Sequence, residues 1–379
     1  MDDANIEIRE VKSATDMKTF ISVPWSIYQD DPNWVPPLKF ERKEAFSTKN
    51  PFFLHARWKA WLAYCGGQPV GRISAQIDDL YLKTQDAHTG FFGLIEAPDD
   101  PAVFTALFEA AEHWLKEQGM KTVVGPFNLG INQEIGCLVE GFDTPPYVMM
   151  GHAKPYYDSS IEGQGYQKTQ DVLAYELDEY MYKIPDIVRR IRERQSDKMT
   201  LRQVDRKNTA AELEIMRDIF NDAWSENWGF VPFTREEFST VGKEIFMIVP
   251  ADFTWIAEAE GEPAAFIVMI PNLNEAIADL NGKLFPFGWA KLFWRLKVRA
   301  PKSGRIALMG VRKKHQNTRL GPALALAIIG ALHEPGTKRN MERIEMSWVL
   351  EQNHATRGII EKMGGAVSKR YRIYSKELD

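Results

Sequence analysis

A short polar and basic loop joins an apolar strand to an apolar helix late in the chain. The strand is predicted over residues 306–311 and the helix over 324–332, because each is an apolar run of suitable length. The loop at 316–321 reads QNTRLG. Unpaired N–H groups and the positive dipole end of a helix N-terminus suit a pyrophosphate. The basic residues of the loop region are Lys313, Lys314 and Arg319. This pattern predicts a phosphate-binding loop.

The composition is that of a globular protein with enough apolar residues for two ordinary cores. The chain has 379 residues, of which 44% are apolar and 26% charged, and its formal net charge is −5. This balance argues against a general nucleic-acid binder, so no nucleic-acid partner is expected. Cys65 and Cys137 lack the Cys or His spacing of a zinc site. We therefore expect no metal and two reduced thiols.

Targeting signals and membrane spans are not expected. The N-terminus is acidic where a signal peptide is basic, and the longest apolar run, 320–332, is too short to cross a bilayer. A cytoplasmic protein is predicted, with peripheral attachment to the inner membrane left open.

The order of predicted elements occurs twice, which indicates a mixed α/β fold with two domains. A strand (6–11), a helix (14–28, broken at Pro24), a hairpin (58–77) and further strands come first. From 200 the same order begins again, with a strand at 200–204, a helix at 209–224 and a hairpin at 253–270. The boundary is predicted at 198/199, after a helix over 185–194 and a polar linker at 195–199.

The two copies differ at the phosphate loop. The first copy has the acidic stretch 96–100 (EAPDD) where the second has its basic loop, so only the second is expected to hold a pyrophosphate. A long segment at 127–157, rich in Gly, Asn, Pro and Tyr, follows in the first copy. Long ordered loops are often functional, and a packed surface loop is the alternative.

An insertion in the second copy is basic and aromatic. Residues 282–305, within a wider insertion at 272–305, contain no acidic residue, and Lys and Arg alternate with Phe and Trp. A helix over 289–299 would place Lys291, Arg295 and Arg299 on one side and aromatic residues on another. Such a helix suits an anionic membrane surface through 283–305, while internal packing of the aromatic residues is the equal alternative.

The order of strand, helix, hairpin, strand, phosphate loop, helix, strand and helix resembles the GNAT acyltransferases. Their acyl-CoA loop reads Arg or Gln, two residues, Gly, one residue, then Gly or Ala. Gln316 and Gly321 match this pattern, and Arg319 replaces the first Gly. Asn353 and the element IIEKMG at 359–364 stand where the family has an Asn and a Glu-Lys-x-Gly element. The resemblance implies two GNAT-like domains, each a central mixed sheet flanked by helices.

Three further segments resemble bacterial tandem-GNAT proteins. They are 125–157, 272–289 and the ending 369–374 (KRYRIY). Bacterial ceramide synthases, which join a fatty acyl group to the amine of a sphingoid base, are among these proteins. The resemblance implies an acyl-CoA-dependent N-acyltransferase with a lipid-like amine acceptor.

The resemblance also implies roles in binding acyl-CoA, the cosubstrate. The pyrophosphate would bind backbone N–H groups of the loop. The pantetheine arm would pair with the strand edge at 308–311, with a bulge at Gly310 and an N–H near Val311 facing the thioester oxygen. The expected acyl-CoA-binding residues are Met309, Gly310, Val311, Gln316, Asn317, Thr318, Arg319, Leu320, Gly321 and Asn353.

Acyl transfer to an ammonium group requires a base. Glu351 and His354 are ranked first, because they follow the strand that should flank the thioester. The other candidates are Glu345, His315 and, from the first copy, Glu134 and Asp143. The family's proton-donating Tyr falls at Ile360, so Tyr156, Tyr157 or another group must protonate the leaving thiolate, or it leaves unprotonated.

The apolar bias of residues 285–298 favours a long-chain acyl group, a lipid-like acceptor, or both, because each buried CH₂ contributes about 0.8 kcal/mol. Two alternatives remain open. One is a FemX-like aminoacyl transferase, although no heptad-patterned arm is present. The other is a catalytically silent acyl-CoA-binding module.

Overall fold

The computed structural model describes residues 6–178 and 199–378. The helix predicted over 185–194 and most of the predicted linker lie outside these residues. The described residues have a mixed α/β fold, as predicted.

The strands and helices follow in chain order. The strands are β1 (Ile6–Glu10), β2 (Ala56–Cys65), β3 (Gln68–Asp78), β4 (Thr89–Glu96), β5 (Thr122–Gly125), β6 (Phe127–Asn128), β7 (Glu134–Ile135), β8 (Cys137–Glu140), β9 (Gln167–Leu177), β10 (Met199–Gln203), β11 (Thr254–Ala259), β12 (Glu262–Pro271), β13 (Ser303–Val311), β14 (Arg343–Leu350) and β15 (Ala366–Glu377). The α-helices are α1 (Ala14–Ser22), α2 (Pro24–Ile27), α3 (Lys39–Ala45), α4 (Asp79–Thr84), α5 (Pro101–Glu117), α6 (Tyr157–Glu162), α7 (Thr209–Trp224), α8 (Arg235–Ile248), α9 (Leu273–Ile277), α10 (Gly288–Trp294), α11 (Lys313–Gln316), α12 (Leu320–Ala331), α13 (His333–Lys338) and α14 (His354–Lys362). A π-helical turn over Arg295–Arg299 continues α10.

The described residues form two compact units. Unit 1 runs up to Val172 and also includes Ile277–Gly288 and the residues from Lys369 onward. Unit 2 contains the described residues from Leu173 to Ala276, together with Trp289–Ser368. The two units do not follow the boundary predicted at 198/199. The last strand of the first copy, β9, continues into unit 2 from Leu173, and the last strand of the second copy, β15, belongs largely to unit 1. The 198/199 division therefore stays a prediction about the repeats in the sequence.

The two units contain sheets of the same design. In unit 1 the strand order is β1-β2-β3-β4-β5-β15, with β4 and β5 parallel and the other neighbours antiparallel. In unit 2 it is β10-β11-β12-β13-β14-β9, with β13 and β14 parallel and the neighbours from β10 to β13 antiparallel. Two similar mixed sheets are what the repeated order of elements predicts.

Helices α7 and α12 fix the centre of unit 2. Both pack on β12 and β13, and α12 is buried at every residue from Ala323 to Ala331. A helix that is apolar on all sides belongs inside a core. No helix in the described part of the chain has both the length and the apolar character needed to cross a membrane.

The basic and aromatic insertion is exposed. Its apolar side chains with large exposed fractions are Phe285, Phe287, Trp289, Phe293, Trp294 and Val298. The predicted helix over 289–299 is found as α10 and the π-helical turn that continues it. Internal packing therefore does not account for these aromatic residues, and a partner for the insertion is considered below.

Candidate active site

Strands β13 and β14 separate partway along their length, which opens a cleft in unit 2. Their parallel pairing runs from Ser303↔Arg343 to Ile306↔Met346, yet the strands continue to Val311 and Leu350. Residues of β13 are buried up to Ile306 and partly exposed from Ala307 to Met309. A central strand becomes accessible in this way only where its neighbour has moved away. The edge of β13 is therefore open at the segment predicted to bind pantetheine.

The bulge in β13 lies at Ala307 and not at Gly310. Val268 pairs with Leu308 and Met269 with Ile306, so Ala307 has no partner on β12. Gly310 pairs regularly with Phe266, and a Cβ added there would lie 3.2 Å from that ring. The expectation of a bulge at Gly310 was wrong, because Gly310 keeps regular pairing and the extra residue of the bulge is Ala307.

Two side chains bind carbonyl groups at the end of β13. The Trp224 indole N–H donates to Met309 O (2.9 Å), and the Gln316 amide donates to Val311 O (2.8 Å) and to Ala223 O (3.0 Å). Trp224 also contacts Trp348 edge to face, with ring centroids 5.7 Å apart. Gln316 thus ties the loop to the strand, and the two Trp side chains were not predicted as part of the site.

The loop after α11 is closed by its own hydrogen bonds. Thr318 donates through its N–H (2.9 Å) and its hydroxyl (2.7 Å) to His315 O, and its hydroxyl accepts from the Leu320 N–H (3.1 Å). The Asn317 N–H also donates to His315 O. The N–H groups of residues 317–321 were predicted to bind pyrophosphate, and only those of Arg319 and Gly321 are not used by these hydrogen bonds. Both lie at the start of α12, where a helix leaves its first N–H groups without internal acceptors.

The positive charge around the loop is largely paired. Lys313 Nζ lies 2.7 Å from Glu226 Oε1, and Lys314 Nζ lies 2.6 Å from Glu262 Oε2. The Arg319 guanidinium is exposed and has no partner among the residues that the structure describes. Since the other cations are already paired, Arg319 is the loop side chain best placed to receive an added anion. Its position is that of the family's first Gly.

Glu351 and His354 lie at the same edge of the sheet as the loop. They follow β14 as the loop follows β13, and parallel strands end at a common edge. Arg357 fixes this turn by donating to Glu351 O (2.7 Å) and to the Tyr175 hydroxyl (2.9 Å). His354 is exposed at the first position of α14, and Asn353 caps that helix by accepting from the Thr356 N–H (3.1 Å).

Asn353 and Ile360 have local structural roles. The Asn353 side chain accounts for the start of α14, so its predicted contact with acyl-CoA stays a prediction. Ile360 is fully buried and packs beside Gly365, where an added Cβ would come within 2.5 Å of its side chain. It supplies no proton to a leaving thiolate.

Glu134 and Tyr156 belong to unit 1 and are engaged there. Glu134 accepts from Arg42 (2.7 Å) and Asn128 (3.2 Å). Burial alone would raise the pKa of Glu134, but Arg42 and Asn128 outweigh it and leave that pKa below its usual value. The Tyr156 hydroxyl donates to Ala97 O (2.8 Å), and burial with nearby carboxylates raises the pKa of Tyr156. Both shifts weaken these groups as base and acid, so their predicted catalytic roles gain no support.

Two further candidate bases are held within unit 2. Glu345 is fully buried and accepts a short hydrogen bond from the Ser347 hydroxyl, with Arg305 Nε at 3.8 Å. Arg305 also donates to the Ser347 hydroxyl (2.7 Å), so this network braces β13 and β14 just before they separate. Burial and Lys314 lower the pKa of His315, which lies before the loop. Among the described residues no His, Cys, Asp and Glu cluster is arranged to hold a metal ion.

The corresponding place in unit 1 is filled by the chain itself. Strands β4 and β5 pair from Thr89↔Thr122 to Phe91↔Val124, and the hairpin of β6 and β7 lies against the remainder of β4. The Leu94 N–H donates to the Asn128 side chain (2.8 Å), and a Cβ on Gly93 would lie 1.8 Å from Phe127 O. The edge of β4 that corresponds to the open edge of β13 is thus covered by backbone.

Parallel strands that separate beside a loop at the start of a buried helix are the arrangement expected of a GNAT acyltransferase. The family model described as Acetyltransferase (GNAT) family matches residues 213–365, which include the loop, the cleft and α14. The chain belongs to the GNAT family and is an N-acyltransferase.

Two relatives are similar over almost the whole chain. Protein YghO of Escherichia coli (strain K12) is 50% identical over 98% of this chain and 95% of that protein. Bacterial ceramide synthase of Caulobacter vibrioides (strain NA1000 / CB15N) is 47% identical over 99% of this chain and 98% of that protein. The predicted resemblance to bacterial ceramide synthases is confirmed.

The fold is shared with a solved tandem GNAT protein from the clavulanic acid biosynthesis pathway. That structure has a TM-score of 0.55 at 11% identity and covers 99% of both chains. A fungal glucosamine N-acetyltransferase region has a TM-score of 0.59 at 14% identity, over 98% of this chain and 38% of that one. The two GNAT-like domains predicted from the sequence are therefore confirmed.

Proposed function

We propose that the protein transfers a long-chain acyl group from acyl-CoA to the amine of a lipid-like acceptor such as a sphingoid base. The observation that carries this proposal is the open edge of β13 beside the loop, since an extended pantetheine arm binds as an added strand. The acceptor class follows from the relative named bacterial ceramide synthase, at 47% identity. Such a protein would work in the cytoplasm, at a membrane that supplies lipid.

The residues that would hold acyl-CoA lie around the cleft. Arg319 and the N–H of Gly321 are available to the pyrophosphate at the start of α12. Within β13 from Leu308 to Val311, the N–H groups of Met309 and Val311 point to the open edge and would bind the pantetheine. The carbonyls of these two residues already accept from Trp224 and Gln316. The thioester supplies an activated acyl carbonyl and a thiolate leaving group.

The chemistry left to the protein is deprotonation of the amine and stabilisation of charge on the carbonyl oxygen. Arg312 donates its N–H to Ala264 O on β12 (2.8 Å), and N–H directions alternate along a strand. The Val311 N–H therefore points to the open edge and can face the developing oxyanion. Glu351 and His354 are the residues we propose for the base, because Glu351 lies in the turn before α14 and His354 begins that helix, at the same edge of the sheet.

Long apolar chains fit the half-buried surface of this cleft. Trp224 and Trp348 meet edge to face beside Met309 O, and both side chains are partly exposed. Each CH₂ that such a surface buries contributes about 0.8 kcal/mol, which a short acyl group or a small polar amine cannot match.

Thiol release tests the proposal. With a sphingoid base as acceptor, we expect kcat/KM for palmitoyl-CoA to exceed that for acetyl-CoA by at least about 100-fold, because about 1.4 kcal/mol corresponds to a factor of ten. Polyamines and amino acids serve as control acceptors and should react poorly. Acyl-CoA binding without turnover on any amine would favour the silent binding module. Transfer from aminoacyl-tRNA instead would favour the FemX-like alternative.

We expect one acyl-CoA per chain although the scaffold is duplicated. In unit 1 the hairpin of β6 and β7 covers the edge of β4, and the segment after β4 is acidic, so neither pantetheine nor pyrophosphate is accommodated. Isothermal titration with palmitoyl-CoA, below the concentration at which it forms micelles, should give a stoichiometry near one. The result should not change when Glu96 in unit 1 is replaced by Gln. A stoichiometry of two would show that the first copy also binds.

A further inference from the structure

A cavity in unit 2 lies at the opposite end of β13 from the acyl-CoA loop. Its volume is about 260 Å³. It is lined by Pro301, which lies just before β13, and by Pro271, which lies at the end of β12. Strand residues rise about 3.3 Å each, which places Val311 roughly 26 Å from Ser303. The cavity is therefore separate from the loop that would hold the pyrophosphate of acyl-CoA.

The charged side chains that line the cavity are all cations. They are Lys297, Arg299, Lys338 and Arg339. Arg339 is paired with Asp252 (2.9 Å), and Lys338 forms an exposed pair with Glu334 (2.7 Å). Lys297 and Arg299 have no ion pair with any residue in the described part of the chain. The cavity therefore carries an excess of positive charge that an anion can neutralise.

Exposed apolar side chains lie on the segments that line this cavity or directly beside them in the chain. Val298 is 68% exposed and lies between the two unpaired cations, and Ile248 also lines the cavity. Met247, next to Ile248 at the end of α8, is 76% exposed, and Trp294 one turn before Val298 is 51% exposed. Exposed apolar side chains contribute nothing to the binding of a small soluble anion, whereas a membrane interface would bury them.

We propose that this cavity binds the phosphate of an anionic phospholipid while Val298, Met247 and Trp294 enter the interfacial layer of the bilayer. Peripheral membrane proteins bind a bilayer in this way: their cations neutralise lipid phosphates, and neighbouring apolar residues enter the acyl region. The sequence indicated a membrane contact as one alternative for the whole insertion, and this proposal assigns that contact to Lys297, Arg299 and the residues beside them. The inference does not rest on acyl transfer.

Flotation of the full chain with vesicles tests this surface. The protein should float with vesicles of phosphatidylglycerol and phosphatidylcholine and stay in solution with phosphatidylcholine alone. Lys297→Glu combined with Arg299→Glu should lower the bound fraction at least about tenfold, and Val298→Ser should lower it less. Lys116→Glu, an exposed charge reversal on α5 of unit 1, is the matched control and should float like the unchanged protein.

Three results would overturn the proposal. Equal flotation with both kinds of vesicle would remove the charge argument, and full flotation of the double variant would move the contact elsewhere. Binding of inorganic phosphate at this site without flotation, detected by titration and lost in the double variant, would assign the cavity to a free anion. Thiol release from palmitoyl-CoA with a sphingoid base, measured without vesicles, reports acyl transfer separately, so failure of one proposal is distinguishable from failure of the other.

Discussion

Gly321→Val should lower kcat/KM for acyl-CoA by at least about 100-fold and abolish measurable CoA binding. A Cβ at this position would lie 2.5 Å from His315 O and 3.0 Å from Gln316 Cα, and both are backbone atoms of the loop. Backbone cannot rotate away as a side chain does, so the loop must shift from the start of α12. A displacement of about 1 Å at a binding group is enough for a loss of about this size. Titration with CoA and steady-state kinetics measure the effect.

Gly358→Ala provides the matched control for this substitution. Gly358 lies within α14, and a Cβ there would meet nothing within 4 Å, so binding and rate should stay within about twofold of the unchanged protein. Arg319→Ser is a second variant that does not depend on packing, because its side chain is exposed, and it should weaken CoA binding by about tenfold. Normal CoA affinity in both Gly321→Val and Arg319→Ser would place acyl-CoA elsewhere.

Loss of the catalytic base should lower kcat by about 10² to 10⁴ at neutral pH. Glu351→Gln and His354→Ala test the two residues that begin the turn into α14. The variant that lacks the base should recover rate as the pH rises toward the pKa of the acceptor amine, because the amine then loses its proton without help. A pH profile of kcat with a sphingoid base separates this recovery from a general structural loss, which high pH would not reverse.

Glu236→Gln is a suitable control for the charge change, since Glu236 is exposed in the first turn of α8. Its profile should follow that of the unchanged protein. If both Glu351→Gln and His354→Ala keep full rate at neutral pH, neither residue is the base, and the amine must enter the cleft already deprotonated or be served by another group.

The elements of unit 2 were largely predictable from local pattern. Helix α7 was predicted over 209–224 and is found as Thr209–Trp224, and β10 was predicted over 200–204 and is found as Met199–Gln203. In both elements the apolar residues recur with a single period, and polar residues mark ends that agree with the structure to within one residue. Helix α8 was missed although its capping box, Thr234 with Glu237, is readable in the sequence.

The site was only partly predictable, because several of its contacts join residues far apart in the chain. Trp224 reaches Met309 O, and no local pattern indicates that pairing. Gln316 was predicted from the loop motif, but its two bonds to Val311 O and Ala223 O depend on how α7 meets the end of β13. Glu134 was a reasonable candidate base until the fold placed Arg42 beside it.

The last strand has a consequence for the order in which the protein is made. In unit 1 β15 pairs with β5, from Tyr374↔Gly125 to Glu377↔Thr122, and Lys376 binds the Glu112 carboxylate on α5 (2.8 Å). Synthesis proceeds from the N-terminus, so the ribosome releases the first sheet long before its closing strand exists. The edge of β5 stays unpaired while the second set of elements is translated. During that interval the nascent chain presents an open strand edge, the kind of surface that chaperones shield from aggregation.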